Sequence, residues 1–251
     1  MKKLYVWGLL VCLFGTMSGC ATTTPLSNNE LRYNRAMQLY KAGKYAEAMP
    51  TFVELADLGY PGAQYQVGLA YDYGEGVPQN DAIAFYRYQQ AKTSGVAHAM
   101  YHLGIFYYEG RATARDVDEA YRLWRRAAEA GVPQAQYNIA DHYFSKNNLL
   151  AAIKWLTKSA EQGFSLAQYN LAVSYYQGLG VQKDYAQAVH YYKLAARQED
   201  MRAIYNLALM ANAGEGMDKN PAYAEKLLRL AMTLGHKKAA AALEALQKGR
   251  L

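Results

Sequence analysis

The sequence predicts an all-α fold, a right-handed superhelical α-solenoid of helix-turn-helix repeats. Three observations carry that prediction. A block opening on alanine recurs at Ala63, Ala99, Ala135, Ala167 and Ala203, with Ala239 starting a partial copy, in steps of 36, 36, 32, 36 and 36 residues. Periods of this length mark stacked repeat architectures. Within a block, apolar residues return at helical spacing, as Ala63, Val67 and Tyr71 do. Between the two apolar stretches of each block stands a residue of N-cap type: Asn80, Asp116, Asn148, Asp184 or Asn220. The 251-residue chain is 52% hydrophobic and 19% charged, the balance of a folded body. Its 24 tyrosines against 6 phenylalanines and 3 tryptophans point to much half-buried surface, where the ring packs and the hydroxyl stays wet.

The first segment, 1–19, lies outside the repeat. Lys2 and Lys3 precede an apolar run, Leu4 to Phe14, that is short for a membrane span. Met17-Ser18-Gly19-Cys20 follows, and small residues directly before a cysteine resemble the lipobox of bacterial lipoprotein signal peptides, although Met17 departs from the usual leucine. The resemblance implies acylation of Cys20 and cleavage before it. With Ala21 next rather than aspartate, it implies sorting to the outer membrane, facing the periplasm. Cys12, the other cysteine, falls in the removed segment, so the mature chain has no disulfide. Cleavage removes two lysines and no acid, so the net charge falls from +6 to +4, which does not call for nucleic acid as a partner. Residues 20–29 are the acylated cysteine and a polar linker; the eight residues Thr22 to Asn29 span at most ~28 Å.

Residues 30–60 form a first helix pair, in which Pro50 is expected to kink the second helix or make it start late. Five longer units fill 61–236. In each, a first helix of about 12 residues runs from the alanine, and a second begins after the N-cap residue. Glu119 stands three residues after Asp116, and Gln187 three after Asp184, the spacing of a capping box. Pro221 follows Asn220 at the first helical position. Gly131, Gly163 and Gly235 fall just past second-helix ends, where a left-handed residue is expected. Residues 237–251 form a C-terminal capping helix.

Gly74-Glu75-Gly76, Gly178-Leu179-Gly180 and Gly214-Glu215-Gly216 lie between the helices of a unit. No strand precedes them and no Gly-Lys-Ser/Thr follows, so they are turns needing positive φ and not phosphate loops. The unit from Ala135 lacks them and turns through Ser145 to Asn148.

The pattern of Ala, Leu-Gly, Tyr, Gly-x-Gly-Val, Asp/Asn, Trp/Tyr and Lys-Ala-Ala over residues 61–245 resembles the Sel-one-like repeat family, relatives of tetratricopeptide repeats. "YKAGKYAEAMPTF" in 30–60 looks more like a plain tetratricopeptide unit. The resemblance implies a curved stack whose first helices line a concave groove. It also implies scaffold or assembly roles, including polysaccharide export and control of cell-wall remodelling. At 100° per residue, positions 62, 65, 69, 72 and 73 share a helix face. That face places Tyr65, Tyr73, Tyr101, Tyr108, Tyr137, Tyr169, Tyr176 and Tyr205 toward the groove, where tyrosine gives large contact area at low entropic cost. The alternative is that each ring packs on the next repeat and binds nothing.

Other constellations are weaker. His98 and His102 have the i, i+4 spacing of a metal pair but no evident third ligand. Asp141, His142 and Ser145 are adjacent, yet His142 points about 100° away from the face the other two share, which a triad does not tolerate. Arg111, Arg115, Arg122, Arg125 and Arg126 form the strongest basic cluster, with Glu119 and Glu129 spaced to offset Arg122 and Arg125. The expectation is therefore a lipid-anchored, non-enzymatic scaffold that binds an envelope protein, with no cofactor, metal or nucleic acid. Direct glycan binding through tyrosines and arginines is the alternative, and a hydrolase is disfavoured by the nucleophile set.

Overall fold

Each block marked out by the alanine period folds as a helix pair. The computed structural model describes residues 27–250; the expected signal segment, Cys20 and most of the expected linker lie outside the described residues. Among those described there are thirteen helices and no strand. They are α1 (Asn28–Lys41), α2 (Tyr45–Asp57), α3 (Pro61–Tyr73), α4 (Asp81–Thr93), α5 (Ala97–Glu109), α6 (Val117–Glu129), α7 (Pro133–Ser145), α8 (Leu149–Glu161), α9 (Ser165–Gln177), α10 (Tyr185–Ala196), α11 (Met201–Ala213), α12 (Pro221–Thr233) and α13 (Ala239–Gln247). The architecture is an all-α repeat solenoid of consecutive helix pairs.

The first helix of a long unit starts two residues before the block alanine, and the turn ahead of it explains why. Past each second helix a left-handed residue reverses the chain: Gly59, Gly95, Gly131, Gly163 and Gly235, with Glu199 in the same place at φ 60°. The next residue closes the turn on the helix it leaves, as Val132 N donates to Ala127 O and Phe164 N to Ser159 O. Pro61 and Pro133 can then open α3 and α7, where a missing N–H is harmless.

The five expected N-caps all form. Asn80, Asp116, Asn148, Asp184 and Asn220 each accept from the N–H three residues on. The reciprocal half of the capping box expected at Asp116 is diverted, because Glu119 turns to Arg122 at 3.1 Å. A complete box occurs at Ser27 and Glu30. Pro50 does not delay α2, which begins at Tyr45. The bond it forgoes is the one to the carbonyl of Ala46, an exposed residue that water reaches.

The chain divides into two compact units, one ending at Arg87 and one beginning at Tyr88. In the first, α2 packs on both α1 and α3 around Ala48, Phe52, Leu55, Ala63 and Val67. In the second, each helix from α5 to α13 packs on its neighbours in sequence. Leu156 and Leu171 anchor one cluster, and Ile204, Leu207 and Leu228 another. All six block alanines are fully buried, so helix axes approach closely where a larger side chain would hold them apart. Ala239, Ala242 and Leu243 of α13 close the stack.

Candidate functional site

The tyrosines predicted to line a groove divide by position. Those two residues after the block alanine are half-buried, and the rings of Tyr137, Tyr169 and Tyr205 rest toward the following repeat. Tyr137 lies 5.5 Å from Phe164, and its hydroxyl accepts from Asn170 at 3.1 Å. Tyr205 stacks on His236 at 4.2 Å. The Arg202 guanidinium, held by Asp200, lies 4.3 Å over Tyr169. Tyr33 of α1 makes the same contact with Tyr60 at 5.0 Å. The Tyr101 ring meets His102 edge-on at 5.2 Å, and its carbonyl accepts from Trp124 Nε1. Tyr137, Tyr169 and Tyr205 are thus chiefly packing between repeats, Tyr101 packs within its own, and Tyr65 is half-buried. Burial raises the pKa of Tyr33 and Tyr192 for the same reason.

Tyrosines at the ends of the first helices behave differently. Tyr73 is 47% exposed and Tyr108 40%. The Tyr108 ring leans on Trp124 at 5.4 Å, and Arg115 crosses it while donating from Nε to the Tyr108 carbonyl at 2.9 Å. Two other members of the predicted face, Leu69 and Asp72, are buried and do not face solvent; helical angle alone does not register the neighbouring helices that cover them.

Tyr176 belongs to a joint between repeats. Its hydroxyl lies beside the Glu215 carboxylate, its ring lies 5.3 Å from Tyr185, and Lys183 Nζ sits 4.6 Å from the Tyr185 ring. Burial and then the Glu215 carboxylate raise its pKa. Tyr40, Tyr45 and Glu75 build the same joint in the first unit. Tyr40 donates to Glu75 and meets Tyr45 edge-on at 4.8 Å. The flanking glycines of the Gly-Glu-Gly turn make it possible. Gly76 and Gly216 have φ of 78° and 71°, and a Cβ on either would overlap the backbone of Tyr45 or Tyr185. The glycine pairs are thus turns, as expected, and also the face that seats one repeat on the last.

The remaining candidates are accounted for locally. Arg111 lies 4.2 Å over Phe106 and 3.8 Å from Glu109. Arg122 pairs with Glu119 and Arg125 with Glu129, each at 3.1 Å, and Arg126 is exposed. His98 is exposed while His102 is buried and stacked on Tyr88 at 5.0 Å. Among the described residues no group of three or more His, Cys, Asp or Glu could hold a metal ion. Ser145 Oγ donates to its own helix at His142 O, and His142 packs on Tyr121 at 4.1 Å, so the three residues are not a triad.

A further set was not read from the sequence. Gln64, Gln136 and Gln168, each just after a block alanine, are buried and donate to Ala56 O, Ala128 O and Ala160 O of the preceding helix. Gln162 and Gln198 extend the ladder by donating to Gln136 and Gln168. These side chains give a second donor to helix-end carbonyls that the N–H groups of Gly59, Gly131 and Gly163 already reach. The recurring Ala-Gln-Tyr triplet is the signal that could have revealed them.

The family model described as Sel1 repeat matches residues 61–96, 97–132, 133–164, 165–200 and 202–236. No curated protein matches. Among solved structures, the chain is similar to a Sel1 repeat protein from Oxalobacter formigenes, at 30% identity over 87% of this chain and 91% of that one, with a TM-score of 0.76. It is also similar to c5321, described as a protective antigen present in uropathogenic Escherichia coli strains and displaying an SLR fold, at 29% identity and a TM-score of 0.74. That match covers 89% of this chain and 52% of the antigen, so the chain spans about half its length. Immunity protein Pa5087 from Pseudomonas aeruginosa, at 20% identity over 90% of this chain and 89% of that one with a TM-score of 0.55, shares the fold.

Proposed function

The chain belongs to the Sel1 repeat family, and from that premise we propose that it is a docking scaffold of the bacterial envelope, held at the outer membrane by acyl chains on Cys20 and facing the periplasm. Sel1-repeat solenoids are commonly protein–protein interaction scaffolds and typically non-catalytic. The carrying observation is the aromatic surface left open at the ends of the first helices. Tyr108, 40% exposed, is propped by Trp124 and crossed by Arg115. A rigid ring beside a cation is the kind of anchor that dominates protein interfaces. No described helix is long and apolar enough to cross a membrane, so the attachment in this reading depends on Cys20. The partner belongs to an envelope complex such as one for polysaccharide export or wall remodelling.

Crosslinking in cells followed by mass spectrometry tests the reading. One envelope protein should be captured by the native chain and lost in Tyr108→Ala, and equal capture by both would refute the role of that face. Labelled palmitate should enter the native chain and not Cys20→Ser. A glycan reading has one observation in its favour, an open polar cleft of about 540 Å³ beside Tyr175, lined by Gln182, Lys183, Asp184 and Gln187. Retention of the chain on peptidoglycan, weakened by Gln187→Ala, would favour it over a protein partner.

A further inference from the structure

A cleft of about 400 Å³ opens in the first unit among Val53, Val67, Tyr71, Ile83 and Tyr86, with Arg87 on one wall. Repeat register explains why it is open. Counting from each N-cap, the residue corresponding to Arg87 is Leu123, Trp155, Tyr191 and Leu227 in the following repeats. Those side chains are all large, uncharged groups turned to the core. Leu123 and Leu227 are buried, and Trp155 and Tyr191 pack against the core. Arg87 instead reaches away to Asp57 at 2.7 Å, its side chain only 15% exposed. The floor is also lower, because Val67 stands where the later repeats have Leu103, Ile139, Leu171 and Leu207. On the rim, Tyr86 is 56% exposed, whereas its counterparts are Arg122, Lys154, His190 and Lys226. A cationic rim position has become aromatic just where the filling side chain has been withdrawn.

We infer that this notch is a docking subsite for a single large apolar side chain, tryptophan or leucine, projecting from a partner polypeptide. The inference rests on the docking reading above and names where a partner inserts. The occupant is chosen by the molecule's own example, since four other repeats place leucine, tryptophan or tyrosine at the equivalent position. The partly exposed Val53 and Ile83 offer the apolar walls above the buried Val67, and Tyr86 closes over the inserted group. An apolar notch open to water gains most when a shape-matched hydrophobic group displaces that water.

The probe is N-acetyl-tryptophanamide, titrated into the isotope-labelled full chain and followed by backbone amide shifts. Saturable shifts are expected at Val53, Val67 and Ile83, with none from N-acetyl-glycinamide. Arg87→Trp restores the self-filled state of the other repeats. It should weaken probe binding at least about tenfold, the loss of a good anchor, without lowering the melting temperature. Arg87→Leu, a smaller change, should act in the same direction and guards against a misfolded first variant. Shifts that persist in both variants, or that glycinamide reproduces, overturn the inference. A stronger response to decanoate would assign the notch to an acyl chain, and self-association abolished by Arg87→Trp would assign it to a second copy; either overturns the proposed occupant. The two readings fail separately. If no envelope protein is captured in cells while the probe still binds the notch, the scaffold reading fails and the subsite stands. If a captured partner is retained in Arg87→Trp, the scaffold stands and the notch is not where that partner docks.

Discussion

The turns at 214–216 and at 178–180 close the same joint with opposite chemistry. At the first, the Glu215 carboxylate faces the Tyr176 hydroxyl, and Gly216 presses on the backbone of Tyr185 and Ala186, where a Cβ would stand 2.8 Å from Ala186 N. At the second, the corresponding residues are Phe144, Leu149 and Leu179. There a Cβ on Gly180 would meet Ile153 Cγ1 and Leu149 Cβ at 2.9 Å each and the Leu149 carbonyl oxygen at 3.0 Å, a looser backbone contact than at Gly216. The first unit repeats the polar version with Tyr40, Tyr45 and Glu75. The second glycine is common to all three joints because two backbones come together there. The residue between the glycines changes with the ring it accompanies, a carboxylate with tyrosine and an aliphatic with phenylalanine. A joint therefore works as a matched set, and a repeat is not freely exchangeable for its neighbour.

The largest expected effect breaks the two joints differently. Gly216→Ala places a methyl group against backbone at positive φ and should cost roughly 3 kcal/mol, combining left-handed strain with overpacking. Gly180→Ala overlaps its neighbours less deeply, with Leu149 O at 3.0 Å and only Ile153 free to turn aside, and should cost about 1–2 kcal/mol, mainly the φ term. Urea titration of both variants measures the difference, and equal losses would mean that the backbone contact is not what separates the joints.

Alkaline pH is the next lever. Burial holds the pKa of Tyr40, Tyr176 and Tyr192 above the ordinary tyrosine value, with the Glu75 and Glu215 carboxylates adding to it at Tyr40 and Tyr176. Between the unfolded and folded pKa values the folded state holds more protons, so the contribution is complete below about pH 10 and is lost as pH rises from there. Melting temperature followed from pH 8 to 11 should fall above about 10, and Tyr176→Phe, which makes the polar joint resemble the apolar one, should flatten part of that fall.

Smaller effects sharpen the idea of a matched set. Tyr176→Phe and Glu215→Leu alone should each cost about 1 kcal/mol, and the pair less than their sum, a coupling of at least about 0.5 kcal/mol in a double-mutant cycle. Strict additivity would show the residues to be independent. The smallest expected loss is at the caps. Asn148→Ala, at the short turn, and Asp184→Ala, at a long one, should each cost about 0.5–1 kcal/mol by thermal melting. Similar values would show that the four-residue deletion leaves the cap itself unchanged.

The outcome of these readings follows a physical line. The five N-caps, the left-handed glycines and the helix pairs were legible because each depends on residues within a turn or two of one another. Of the two outcomes expected at Pro50, the late start of α2 does not occur, because the cost of a proline depends on whether water can reach the carbonyl it leaves unpaired, and Ala46 is exposed. Among the tyrosines, helical angle gave a shared face without saying what covers it. Tyr137 and Tyr169 meet Phe164 and Arg202, residues about thirty positions on, whereas Tyr108 stays open beside Trp124. Gln64, Gln136 and Gln168 were visible as a repeated letter but not as helix-end ties, since nothing local distinguishes a buried glutamine from a solvated one.

By itself, then, the order of residues determined the 36-residue period, the paired helices and their turns, because intrahelical hydrogen bonds, capping and backbone φ are settled among near neighbours. Tertiary structure alone decided which aromatic faces remain available, which glycine must seat a neighbouring backbone, and that Arg87 swings to Asp57 and leaves a notch. Those outcomes depend on side chains one repeat away that meet only when the helix pairs stack, where burial and close packing, rather than local propensity, set the energy.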